Sequence, residues 1–444
     1  MIDFLQNNLA LIMFGSVFFL LLLGYPVAFT IGGVALFYGL IGFGPGFFGL
    51  LPLRIWGTMT NFVLLAVPLF IYMGVMLERS GLAEELLETM GLVFARIRGG
   101  LAISVVIVGA LLGASTGIVG ATVVTMGLLS LPTMLKRNYS KTLATGTVAA
   151  SGTLGQIIPP SIVLVLLGDI MSVPIGDLFV GAVIPGMLLV LLYITYIAIM
   201  AVLKPHWAPP IPQEELDEIS KNQMRKMVLT SLLPPLFLIC AVLGTIFAGI
   251  ASPTEAAALG AVGASVLTFI KGKLTKETLL AVMTSTTKLT CMVFIILVGA
   301  TTLGLVFRGL GGDAQVRDLI DSLPFGRVGT LSVIMGIIFI AGFFLDFIEI
   351  IFIFVPVLTP IMVAMGVDPL WLGILIAVNL QTSFLTPPFG FSLFYLKGVA
   401  PPEVETTDIY KGIIPFVFIQ ILAMIILCLV PETVTWLPQY LFGN

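Results

Sequence analysis

The chain has 444 residues, 59% of them hydrophobic and only 10% charged, with a formal net charge of −3. An average soluble domain carries roughly 25% charged residues, so this composition excludes a soluble globular protein of this size. No basic tract is present to pair with phosphates, which excludes nucleic acid as a partner. Uncharged apolar runs of ~20 residues recur along the whole chain, so its environment is the lipid bilayer.

In chain order, spans are predicted near 9–23, 26–43, 62–77, 142–168 and 175–203, and a charged loop follows at 204–227. The second half offers spans near 228–250, 253–270, 287–307, 369–396 and 411–430. Two further stretches, 99–135 and 328–367, carry a polar or glycine-rich point near their middle. They are predicted as re-entrant hairpins that enter and leave on one side; two short full spans would keep the same parity. Residues 81–96 read as a surface helix, charged on one face and apolar on the other, with a counterpart at 309–322. Met1-Ile2-Asp3 has no basic region, so the first apolar run is expected to be a retained span rather than a cleaved signal. Cys240, Cys291 and Cys428 lie in apolar runs without Cys-x-x-Cys spacing and are expected to be buried free thiols. His206 sits in a Pro-rich loop and is expected to be solvated.

Orientation follows from the positive charges. With the N-terminus outside, 16 of the 20 Lys and Arg fall in cytoplasmic segments, and only Arg54, Arg308, Arg317 and Arg327 fall outside. The positive-inside rule therefore places both termini outside and the 204–227 loop in the cytoplasm. An internal repeat is also legible. At an offset of 228, Gly81 falls on Gly309, Pro132 on Pro360, Pro159 on Pro387 and Pro160 on Pro388. Five crossings per half make the two copies antiparallel, the inverted repeat common among secondary transporters.

The chemistry is expected at four points. Pro159-Pro160 and Pro387-Pro388 interrupt uncharged stretches that are longer than a straight span needs. Proline lacks an N–H, so the carbonyls of Gly155, Gln156, Ser383 and Phe384 lose their helical donors. Freed carbonyls ringed by hydroxyls are hard oxygen ligands suited to a cation such as Na⁺, and the half-helix beyond each break favours an anionic group. A plain helix kink is the bland reading of either break taken singly. The first hairpin tip, residues 113–122, is glycine-rich. Gly109, Gly113 and Gly117 suit either close packing or ion binding, whereas Ser115 and Thr116 suit binding. At the second tip, Asp346 and Glu349 are intramembrane carboxylates; they are either functional, Asp346 more so, or a helix stop at a wet turn.

Taken together, the glycine-rich tip, Gly155-Gln156-Ile157-Ile158-Pro159-Pro160-Ser161, Gly168-Asp169, Pro174-Ile175-Gly176-Asp177-Leu178-Phe179 and Thr386-Pro387-Pro388-Phe389-Gly390 resemble a known family. It is the large membrane (M, DctM-like) subunit of tripartite ATP-independent periplasmic (TRAP) transporters, and the resemblance spans nearly the whole chain. It implies an all-α integral membrane protein of about ten transmembrane helices and two re-entrant hairpins in two inverted repeats, working as an elevator in the bacterial inner membrane. The solute would be an organic acid such as a C4-dicarboxylate or sialic acid, coupled to Na⁺ and to no other cofactor. The partners would be a small four-helix membrane subunit (Q-type) and a periplasmic solute-binding protein (P-type).

The implied cation ligands are Ser115, Gly117, Ser151, Gly152, Gly155, Asp346, Thr382, Ser383 and Thr386. The implied solute-binding residues are Thr116, Gln156, Pro159, Ser161, Asn379, Gln381 and Pro387. The expected division is scaffold helices and arm over 1–98, transport-domain halves over 99–168 and 328–397, further scaffold, the cytoplasmic loop and a second arm over 169–327, and a C-terminal helix over 398–444. No Gly-x-x-x-x-Gly-Lys-Ser/Thr loop exists to bind ATP, and no catalytic motif marks an enzyme. The competing readings are a stand-alone carboxylate symporter of the same fold, a passive channel, and an intramembrane enzyme using Asp346 and Glu349 as an acid–base pair.

Overall fold

The computed structural model describes residues 8–210, 220–321 and 326–443, and every regular element among them is helical. The first half comprises α1 (Leu9–Leu22), α2 (Val27–Phe43), α3 (Leu51–Met59), α4 (Ala66–Arg79), α5 (Leu82–Val93), α6 (Gly100–Thr116), α7 (Val119–Lys136), α8 (Lys141–Thr153), α9 (Ile162–Met171) and α10 (Ile175–Leu203). The second comprises α11 (Lys221–Met227), α12 (Leu233–Phe247), α13 (Pro253–Ile270), α14 (Lys276–Gly309), α15 (Gly312–Asp321), α16 (Gly326–Ala341), α17 (Phe347–Ile353), α18 (Val355–Ala364), α19 (Pro369–Phe384), α20 (Phe391–Val399), α21 (Thr406–Leu429) and α22 (Glu432–Phe442).

The repeat extends to element boundaries. Shifted by 228, α7 becomes 347–364, the joint extent of α17 and α18, and the start of α8 becomes that of α19. One departure is informative: α14 is a continuous helix of 34 residues, whereas its counterpart is split into α3, a 3₁₀ turn over 62–65, and α4. Asn61 and Pro68 stand where the second copy has Leu289 and Ile296. The Asn61 side chain accepts from the Val63 N–H and starts a new turn. Pro68, with no N–H to offer, sits in the first turn of α4, where none is needed.

Among the described residues, seven helices are long and apolar enough to cross a membrane, and α17 with α18 forms a pair bent by 54°. Six of the seven coincide with predicted spans; the seventh is α7, the second arm of the first hairpin. The other four predicted spans are shorter pieces. Two are α1 and α2, of 14 and 17 residues. The other two, 142–168 and 369–396, are each split by their Pro–Pro into helices of 13 and 10 or 16 and 9 residues. A helix of 10 residues rises only about 15 Å, half a hydrocarbon core, so these halves end at membrane depth.

Three expectations need correction. The predicted span 287–307 begins earlier, at Lys276, because the Thr275 hydroxyl caps the helix by accepting from the Thr278 N–H. The three cysteines are free but exposed rather than buried; apolar residues on a membrane helix often face lipid. The helices α3 and α22 were not anticipated. On α22 the exposed Trp436 and Tyr440 stack with ring centroids 5.7 Å apart, the amphipathic pair expected at a membrane interface.

The broken helix of the first half is held by very close helix crossings. A Cβ on Gly146 would lie 2.1 Å from the Gly412 carbonyl oxygen, and one on Gly412 would lie 2.2 Å from that of Thr142. Only glycine lets α8 and α21 approach so far. The surface helix α5 is tied down through Glu85, which pairs with Lys271, the residue after α13, and accepts from the Ser231 hydroxyl.

Candidate functional site

The two breaks have the same construction. After α8 a 3₁₀ turn runs over Leu154–Gln156, a cis Pro159–Pro160 bond follows, and Ser161 begins α9. After α19, Thr386 donates its N–H to the Ser383 carbonyl, a cis Pro387–Pro388 bond follows, and Gly390 begins α20. Of the carbonyls expected to lose helical donors, that of Gln156 accepts from the Ser161 hydroxyl at 2.8 Å and that of Ser383 accepts from Thr386.

Each hairpin tip is seated on the break of its own half. A Cβ on Gly113 would fall 2.6 Å from the Gly155 nitrogen, and one on Gly109 would fall 2.7 Å from the Ser151 Cβ. The close-packing reading of these two glycines therefore holds, and the packing puts the tip backbone against the break. Gly117 closes α6 in the left-handed region, with φ +61°, beside Ile162, the first residue of α9. The side chains of Ser115 and Thr116 lie outside the described residues. Gly152 packs on Val123 of α7. In the second half, Gly342 abuts the Ser383 side chain, and Asn379 donates from Nδ2 to the Met335 carbonyl at 2.8 Å. Phe347 and Phe391 both pack against Phe384.

Asp346 and Glu349 form a capping box on α17. The Phe347 N–H donates to Asp346 Oδ1, and the Asp346 N–H donates to Glu349 Oε2. Both carboxylates thus hold the turn of the second tip, whatever else they do.

Among the contacts between the two halves, one joins equivalent positions. Gln381 donates from Nε2 to the Thr153 hydroxyl at 3.4 Å, and these residues are 228 apart. A residue in contact with its own repeat mate lies on the pseudo-two-fold axis, so the breaks are adjacent at the centre of the protein. Ser392 of α20 adds a second cross-link, donating to the Ala149 carbonyl at 3.0 Å.

Ser151, Ser161, Asn379, Gln381, Thr382 and Ser383 are all buried. The hydroxyls of Ser151, Thr382, Ser383 and Thr386 each donate to a carbonyl of their own helix. A hydroxyl engaged as donor keeps its acceptor lone pairs, so these oxygens still suit a cation. The Gln156 side chain differs. It is fully buried, and neither its Nε2 nor its Oε1 has a hydrogen-bond partner. A buried unsatisfied polar group costs about 1–3 kcal/mol, which calls for a compensating ligand. Nothing in the sequence separated Gln156 from its polar neighbours; a buried amide with both atoms unpartnered does, whereas Gln381 lacks a partner only at Oε1.

A cavity of about 820 Å³ between α1 and α2 is remote from this centre and is lined by exposed apolar residues such as Phe19, Phe29 and Phe37. Two smaller cavities adjoin each other where α3, α9 and α14 meet, and Arg54, Asp169 and Thr301 line both.

Comparison with known proteins identifies the assembly. Residues 14–433 match the family described as tripartite ATP-independent periplasmic transporter, DctM component. The chain is 32% identical over 405 residues to the C4-dicarboxylate TRAP transporter large permease protein DctM of Vibrio cholerae, covering 86% of this chain and 87% of that one. It is 30% identical to the ectoine TRAP transporter large permease protein TeaC of Halomonas elongata, covering 97% and 99%. The crystal structure of the Alcanivorax borkumensis YdaH transporter shares the fold, with a TM-score of 0.60 over 89% of this chain and 88% of that one at 15% identity. The chain belongs to the DctM family of TRAP transporter large permeases.

Proposed function

We propose that this permease carries an organic acid, such as a C4-dicarboxylate, into the cell by sodium-coupled elevator movement. As the large permease of a tripartite system it works in the membrane with a small membrane subunit and a periplasmic binding protein. In this reading both termini are periplasmic. The moving unit is α6–α9 with α16–α20, and the helices within 1–98 and 169–327 are the fixed scaffold. Sodium binds where each tip meets its break, in the first half among Ser115, Gly117, Ser151, Gly152 and Gly155. In the second half its ligands come from Asp346, Thr382, Ser383 and Thr386. The solute binds at Thr116, Gln156, Pro159, Ser161, Asn379, Gln381 and Pro387.

The observation that carries this reading is the convergence of both breaks on the axis, at Thr153 and Gln381, inside a fully buried polar centre. Such a centre can exchange solute only if the surrounding elements move, which favours alternating access over a passive channel. The Vibrio relative's C4-dicarboxylate supports an acidic solute; the Halomonas relative's ectoine shows that the family also takes others.

The test is thermal stability of the purified permease in rising NaCl, against choline chloride at equal ionic strength. A ligand bound only by the folded state stabilises by RT ln(1 + [L]/Kd), about 2.7 kcal/mol at 100 times Kd. The expected result is a saturable, sodium-specific rise in Tm that Ser151→Ala or Thr386→Ala weakens. Identical curves in both salts would remove sodium coupling from the proposal.

A further inference from the structure

Arg54 and Arg308 lie 254 positions apart in the chain yet line a single cavity of about 470 Å³. Phe47, Leu297, Thr301, Phe352 and Pro356 share its wall. Arg54 lies on α3 and Arg308 at the end of α14, whereas Asp169 and Ile170 come from α9 and Phe352 and Pro356 from α17 and α18. The cavity therefore opens between the elements assigned to the scaffold and those assigned to the moving unit. The neighbouring cavity, about 540 Å³, repeats Arg54 and Thr301 and adds Thr58 and Asn61. The sequence places Arg54, Thr58, Asn61, Asp169 and Arg308 in outside segments, whereas Leu297 and Thr301 lie in the predicted span 287–307. Asp169 follows Ser161, the start of α9, by eight residues, a helical rise of about 12 Å from the first break.

We propose that this cavity is an anion-binding antechamber, in which the two guanidiniums receive the carboxylate of a small organic acid before it reaches the breaks. Guanidinium matches carboxylate with paired donors, and a cleft walled by apolar side chains focuses its field. Arg54 makes no ion pair among the described residues, and Arg308 has only Asp313, 3.9 Å away. The acidic side chain in the lining, Asp169, has one carboxylate oxygen 2.6 Å from the Asn61 amide. This inference rests on the importer reading above, but its test needs neither sodium nor transport.

Cys240, Cys291 and Cys428 are replaced by Ala, Thr301→Cys is introduced, and the purified permease in choline chloride is labelled with 2-sulfonatoethyl methanethiosulfonate. The matched trimethylammonioethyl reagent serves as control. The sulfonate reagent should saturate, and react at least about tenfold faster than the cation at low concentration. Arg54→Gln and Arg308→Gln should each raise its half-saturation severalfold, Arg54→Lys should largely preserve it, and Asp169→Asn should lower it. A monodisperse elution profile for each variant excludes misfolding. Rates linear in both reagents and indifferent to the arginines would overturn the site. A charge-selective cavity in a protein whose Tm ignores sodium would leave the antechamber standing and refute the coupling instead.

Discussion

The seating of the first tip on the first break can be broken with one methyl group. In Gly113→Ala the new Cβ would lie 2.6 Å from the Gly155 nitrogen and 2.7 Å from its Cα. Both obstacles are backbone, so no side chain can swing away. To reach ordinary van der Waals separation, α6 must retreat from the 3₁₀ turn by about 0.8 Å. Overpacking a dense interior costs typically about 1–3 kcal/mol, and a rigid obstacle belongs at the upper end. The better helix propensity of alanine at an interior position of α6 returns about 1 kcal/mol. The net expectation is a loss of about 2 kcal/mol, seen as a Tm several degrees below the parent in choline chloride. The retreat also loosens the contact of Gly109 with Ser151, a proposed sodium ligand, so the rise in Tm with NaCl should shrink. Gly336→Ala is the control: nothing lies within 4 Å of its Cβ position, and its Tm should hold or rise. If Gly113→Ala matches the parent in both salts, the tip is not held on the break as described, and the proposed first sodium site loses its geometry.

Further outcomes follow from other contacts. Gln156→Leu removes two unsatisfied buried polar atoms without a large change in volume, so it should leave the Tm unchanged or raise it, by up to about 2 kcal/mol of stability, while abolishing solute uptake in proteoliposomes. Asp346→Asn retains an acceptor for the Phe347 N–H, so its Tm should stay close to the parent, whereas Asp346→Ala should lose about 1 kcal/mol with the cap. Full uptake by Asp346→Asn would show that the carboxylate serves only the turn. Glu85→Gln should cost at most about 1 kcal/mol, because the Glu85 side chain of its pair with Lys271 is 43% exposed. A double-mutant cycle with Lys271→Met measures that coupling directly.

Much of this architecture is legible in the sequence because membrane burial and repetition both leave plain marks. Apolar runs fix the spans, and prolines 228 residues apart fix the register of the two halves. Less visible were features that depend on a single side chain. Asn61 and Pro68 split what is one helix in the second half, and Thr275 starts that helix eleven residues before its apolar run. The thiols were misplaced because hydrophobic periodicity is weak in a helix wetted by lipid on one side and protein on the other; apolar residues suit both faces. At the site, the residue types pointed to the breaks, yet they could not say that Asn379 is bound to Met335 while Gln156 has no partner. That difference arises only once four distant segments are packed together.

Where the two copies have diverged, they show how labour is divided. Gly155 and Gln156 correspond to Ser383 and Phe384. In the first half the equivalent position is an amide without a partner; in the second it is a ring packed against Phe347 and Phe391. The tips differ in the opposite sense. The first is glycine-rich and lacks carboxylates, while the second carries Asp346 and Glu349 in its capping box. An inverted repeat therefore does not make two equal sites. At this pair of positions the first break offers an unpartnered amide and the second an aromatic ring, although Gln381 and Ser383 keep the second break polar as well. A strictly symmetric pair of sites would bind without direction. In the proposed reading, this asymmetry would favour one orientation of the solute, with its polar end toward Gln156, whose amide has no protein partner.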